Sequence, residues 1–160
     1  MPYREADLRP GDIVLVEGGG VLGSLIRWST ANPFTHAALA TGHGALIEAL
    51  SRVTASPATK YEASGWVYRC PVSDADRDQA VRAAWERIGQ RYGVRELLLD
   101  AARFDLHLTP RARPLHHFTC SGLVVACYQA AGLTLTCAPW PAPADLAYSP
   151  LLEGPRPWSA

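Results

Sequence analysis

Cys120 stands in the segment His116-His117-Phe118-Thr119-Cys120-Ser121-Gly122-Leu123, with Thr119 as a candidate helix N-cap and an apolar stretch after it. A thiol in the first turn of a helix meets unpaired backbone N–H groups and the positive end of the helix dipole. Both favour the thiolate and lower its pKa. Cys127 lies two turns deeper, among Leu123, Val124 and Ala131, with no polar partner in view. Cys70, Cys127 and Cys137 are expected to pack in the core as small hydrophobes, the usual fate of free cysteine. Four cysteines without a CxxC pair suit neither a disulfide scaffold nor a zinc site, so the thiols are expected to be reduced. Cys120 alone has an activating setting.

A thiolate nucleophile needs a base, usually a histidine oriented by a third polar group. His36 opens the apolar run His36-Ala37-Ala38-Leu39-Ala40, and Glu48 closes the run Ala45-Leu46-Ile47-Glu48-Ala49. Thr41-Gly42-His43-Gly44 between them is a hairpin signal. A turn centred near Gly42 sets His36 directly opposite Glu48, with Cβ atoms about 4.5–5.5 Å apart. A charged side chain in such apolar company is costly unless paired. The competing reading leaves both side chains in solvent at strand ends. His43 is expected at the exposed hairpin tip. His107, His116 and His117 share a loop with Arg103, Arg111 and Arg113, and their spacing to Cys120 fits no structural zinc pattern. No metal or organic cofactor is expected. Arginines there would orient an anionic substrate, or simply line a solvated loop.

The elements that must position these residues follow from punctuation and period. Asp12–Val16, Thr35–Ala40, Ala45–Ala49 and Trp66–Cys70 read as strands, and Leu133–Cys137 as a further one. Val21–Trp28 suggests a short amphipathic helix stopped by Asn32-Pro33. Ser73 with Asp76 resembles a capping box, and Ala80, Val81, Ala84, Trp85 and Ile88 form one apolar stripe behind it, with Gly93 as the stop. Thr119–Ala131 is a second helix, ended by Gly132. Six of the thirteen prolines fall in residues 139–160, expected to be an extended strap outside any ladder, with a helical turn near Asp145 and Leu146. Strands and helices do not alternate as βαβ, so the fold class is α+β with an antiparallel sheet.

The whole chain of 160 residues suits one domain, 1–160. Fifteen basic and fifteen acidic residues give net charge 0 and a pI near 7.0, which argues against a nucleic-acid or anionic-lipid partner. No apolar run reaches the roughly 20 residues of a membrane span. The charged amino terminus, without an apolar h-region, gives the expectation of a cytoplasmic protein, bacterial or phage-encoded, that would need another factor for export. Lys60 is the single lysine against fourteen arginines, a bias that reads as genome composition.

Gly89-Gln90-Arg91-Tyr92 and Cys120-Ser121-Gly122-Leu123-Val124 resemble the G-x-x-Y and C-S-G-L-V signatures of NlpC/P60-type cysteine hydrolases. Gly11-Asp12-Ile13-Val14 and Thr35-His36-Ala37-Ala38-Leu39 resemble that family's G-D strand and histidine strand. Histidine comes before cysteine here, the order of the circularly permuted papain-like branch. Within that branch the pattern is more similar to the YiiX/YebB-like group than to the lecithin:retinol acyltransferase-like enzymes. The resemblance covers roughly residues 10–135. It implies Cys120 as nucleophile, His36 as base and Glu48 as orienting residue. Tyr92 matches the family tyrosine near the nucleophile, and Thr35, Ser121 and Arg113 are further candidates for oxyanion or substrate contacts. The implied activity is an amidase or peptidase acting on cell-wall peptides or an acylated small molecule. The alternatives are a lipid-directed acyltransferase or thioesterase, and a non-catalytic binding or phage structural module.

Overall fold

The structure, a computed structural model, describes residues 7–18, 32–61, 64–91, 119–139 and 141–158. The expected Val21–Trp28 helix, Tyr92, Gly93, Arg103, His107, Arg111, Arg113, His116 and His117 lie outside them.

Runs of β-branched and small apolar residues broken by glycine and proline give six strands. They are β1 (Ile13–Glu17), β2 (Phe34–Ala40), β3 (Ala45–Ala49), β4 (Val53–Pro57), β5 (Gly65–Arg69) and β6 (Glu153–Pro157). They form one sheet in the order β4-β3-β2-β1-β5-β6, with every neighbouring pair antiparallel. Among the described residues three α-helices accompany it: α1 (Asp74–Trp85), α2 (Cys120–Ala130) and α3 (Pro143–Ala147). The fold is α+β.

Strand alternation splits the apolar residues between two faces. Ile13, Leu15, Ala37, Leu39 and Ile47 pack beneath Ala80, Ala84, Leu123, Val124 and Cys127 of the helices. Val14, Val16, Ala38, Ala40, Leu46 and Val67 build a second core with Leu8, Ala58 and Trp158, flanked by Tyr61. Each fully buried branched side chain contributes about 1.5–3 kcal/mol to such layers. Tyr128 Oη of α2 donates to the Gly11 carbonyl at 2.5 Å, tying the helix to the entry of β1.

Four expectations are corrected. The stripe assigned to the first helix does not reach Ile88. The helix ends at Trp85 with Glu86 as C-cap, and Trp85 and Ile88 are exposed, because the chain turns away and reverses at Gly89 (φ 84°). Leu133–Cys137 is not a strand; Leu135 is buried, and its carbonyl accepts from Ser149 Oγ at 2.6 Å instead of from a ladder partner. Cys137 is exposed rather than packed. The proline-rich tail does join the sheet, as edge strand β6 on β5. Trp158 N–H donates inward to the Gly65 carbonyl at 3.0 Å, so the backbone nitrogen of Pro157 faces outward, where a missing N–H costs no ladder bond, and Pro155 lies where the register shifts. The helical turn near Asp145 is present as α3, within the same tail.

Candidate active site

The hairpin places His36 and Glu48, but not in the expected register. Ala38 faces Glu48, Leu39 faces Ile47 and Ala40 faces Leu46, so the turn is centred on His43 rather than Gly42. His43 is exposed at its tip, as expected. His36 is therefore two residues along from the partner of Glu48, on the same face because a shift of two preserves side-chain direction. Such a diagonal pair is within reach of long side chains. The His36 ring bonds through Nε2 to Glu48 Oε2 at 2.7 Å. The paired arrangement holds, and the solvent-facing one does not.

Thr35 sits at an irregularity in the β1–β2 ladder, where Val16 pairs with His36 but Glu17 pairs with Phe34. It is the extra residue of a bulge, a device that re-aims neighbouring side chains. Phe34 is thereby turned into the helix-side core. Thr35 Oγ1 donates to the Val16 carbonyl at 3.4 Å. A Cβ on Gly18 would come within 2.0 Å of that hydroxyl oxygen, which is why glycine occupies the position.

Cys120 begins α2, and Thr119 is the N-cap, its hydroxyl accepting from Gly122 N–H at 2.9 Å. The sulfur is buried against His36, whose ring hydrogen-bonds it, and with Nε2 engaged by Glu48 the ring offers Nδ1. Two backbone amides also donate toward the sulfur, those of Ala37 and Ser121. The ladder explains the first. Ala40 N–H bonds to the Asp12 carbonyl of the β1 side, so alternate amides of β2, including that of Ala37, point toward β3. The β2–β3 register stops at Ala38–Glu48, and the Ala37 amide is left for the sulfur. Ser121 contributes through its backbone, since its side-chain Oγ donates to the Pro141 carbonyl at 2.5 Å.

Burial opposes ionisation of Cys120, but the hydrogen bond and charge of His36 and the two amides outweigh it, so the thiol is held below its ordinary value. Burial likewise disfavours the charged His36, yet its bonds to Cys120 and Glu48 raise it to about 9. Burial pushes Glu48 upward and is overcome by donors from His36, Lys60, Ser56 and Tyr61, which lower it to about 2. The contrast with Cys127 is sharp: burial pushes it up to about 12, against only a small opposing pull from the charge of Arg87, and Cys70 is raised by burial as well.

Sequence reasoning missed Lys60 and Tyr61. Both lie on the 3-10 turn Ala58–Tyr61 that follows β4. Lys60 Nζ donates to Glu48 Oε1 at 2.6 Å, and Tyr61 Oη to Glu48 Oε2 at 2.6 Å. The Tyr61 ring also lies against His36, centroids 5.7 Å apart. A lone lysine followed by tyrosine was the available signal. Tyr92 and Arg113 fall outside the described residues. Among the described residues no group of three or more His, Cys, Asp or Glu converges to hold a metal. Cys120, His36 and Glu48 run in line, and a cation at Glu48 would meet the Lys60 ammonium.

No protein-family model matches the sequence, and no curated protein resembles it significantly. The fold has solved counterparts. The crystal structure of metalloprotein yiiX from Escherichia coli O157:H7 superposes with a TM-score of 0.71 at 16% identity, covering 94% of this chain and 98% of that one. At that identity the likeness is one of fold. No helix among the described residues is long and apolar enough to cross a membrane.

Proposed function

We propose that the protein is a thiol-dependent hydrolase of the amidase or peptidase type, built on a papain-like fold in circularly permuted order. The observation that carries the reading is the buried chain Cys120–His36–Glu48, with the thiol at a helix start and the carboxylate 2.7 Å from the imidazole. The Cys120 thiolate attacks the carbonyl carbon of an amide or ester, forming a C–S bond. The resulting oxyanion lies at the first turn of α2, where the Cys120 N–H is a donor not used by the Thr119 cap. His36, as imidazolium, gives its proton to the leaving nitrogen or oxygen as that bond breaks. Water, deprotonated by His36, then attacks the acyl-enzyme and releases the thiolate. Glu48 holds the ring orientation and favours its charged form throughout. No step is routed through a metal.

The test is labelling of the intact protein with a peptidyl vinyl sulfone and a fatty-acyl electrophile, followed by peptide mapping. The expected result is adduct on Cys120 from the peptidyl probe. Labelling by the acyl probe alone would favour a lipid-directed acyltransferase or thioesterase. No adduct at Cys120 from either would leave a non-catalytic module.

A further inference from the structure

Glu48 is fully buried, and it accepts from Lys60 and Tyr61, which are not part of the catalytic line, as well as from His36. Its environment is specific. His36 reaches it from β2, Lys60 and Tyr61 from the turn after β4, and Ser56 from β4 itself, while Thr54 sits opposite it in register and Cys120 lies beyond His36. A thiolate, an imidazolium and a carboxylate in one buried row sum to one unbalanced negative charge. The Lys60 ammonium, on a partly exposed side chain, closes that sum to zero from the end of the row, and it lies over the Tyr61 ring with Nζ 5.0 Å from the centroid. Charges buried together are tolerated when each is paired and hydrogen-bonded. Alternation of sign along Cys120, His36, Glu48 and Lys60 supplies that pairing.

We propose that Lys60 is a positioning residue of the thiol site, whose ammonium fixes the Glu48 carboxylate and balances the charge of the Cys120–His36–Glu48 row. This rests on the thiol-hydrolase reading. Lys60 bonds to Glu48 Oε1 and acts through that carboxylate. Two consequences follow from removing its positive charge. Deprotonation of Cys120 becomes harder, and His36 is held more firmly as imidazolium because Glu48 no longer shares its charge with Lys60. Both titrations therefore move to higher pH.

The experiment compares wild type with Lys60→Met, which keeps an unbranched apolar stem, and Lys60→Arg, which restores the charge. Two quantities are followed against pH: the iodoacetamide rate at Cys120 by peptide mapping, and the His36 ring-proton shift by NMR. In Lys60→Met, the Cys120 rate on the acid side is expected to fall about threefold to tenfold, corresponding to a rise of about half to one pH unit. The His36 midpoint should rise as well, and Lys60→Arg should return both toward wild type. In Glu48→Gln the His36 midpoint should move the opposite way, downward, which general damage to the site would not produce. Unmoved titrations in a folded Lys60→Met protein, even with a lowered melting temperature, would overturn the proposal and leave Lys60 a structural ion pair. A wild-type Cys120 that titrates as an ordinary thiol would overturn the hydrolase reading itself, and this proposal with it.

Discussion

Cys120 and Cys127 are one residue type on one helix, two turns apart, and their surroundings drive them in opposite directions. The difference is partners, because both are buried. Iodoacetamide at mildly acidic pH is therefore expected to modify Cys120 ahead of Cys70 and Cys127; equal labelling of buried thiols would contradict it. Glu48→Gln keeps shape and a hydrogen-bonding group while removing charge. Turnover on a substrate found by the probe panel should fall by about 10–10³-fold, less than for Cys120→Ala, because orientation outlives charge stabilisation. The diagonal between His36 and Glu48 was legible as a pairing from their odd placement in apolar runs. Its register was not, since four turn residues allow more than one centre and both centres keep the same face.

Among the described residues two helix starts are capped by hydroxyls, and one of them serves the site. Ser73 accepts from Asp76 N–H at 3.2 Å at the head of α1, and Thr119 from Gly122 N–H at 2.9 Å at the head of α2. Replacing either by alanine should cost about 0.5–2 kcal/mol in urea unfolding. Only Thr119→Ala should also shift the pH dependence of Cys120 alkylation, because it loosens the turn that carries the sulfur and the Ser121 amide. Equal effects of both variants on alkylation would disprove that distinction. Both caps were readable in the sequence, as were β1, β2, β3, β5 and the start of α2, where period and punctuation are local. What escaped was set by tertiary context. β4 and the Lys60–Tyr61 turn carry no strong period of their own, and β6 is a strand only because β5 offers an edge on which Pro157 presents its nitrogen outward. Trp85 and Ile88 continue a helical spacing past the point where the helix ends.

Across the molecule, the buried row of charges makes stability depend on pH at both ends. Glu48 has its folded pKa lowered from 4.5 to about 2, so its contribution is present above 4.5 and is lost as pH falls toward 2. His36 has its folded pKa raised from 6.5 to about 9, so its contribution is present below 6.5 and is lost as pH rises through 9. Melting temperature should be highest between those limits, and His36→Gln should flatten the alkaline fall; a fall of unchanged steepness would show that His36 does not set it. The two sides of the sheet also end differently from its middle. On β6, the outward-facing nitrogen of Pro157 has no hydrogen to offer an approaching chain, and at Pro155, where the register shifts, the nitrogen has none either. On β4, Val53 is already bonded in both directions, to the carbonyl of Gln90 and the amide of Gly89, and the strand finishes at Pro57. A foreign strand thus finds a donor-poor border on one flank and a partly occupied one on the other. Exchanging Pro155 and Pro157 for threonine would restore donors to the first, and light scattering of concentrated samples should then register self-association that the unaltered chain resists.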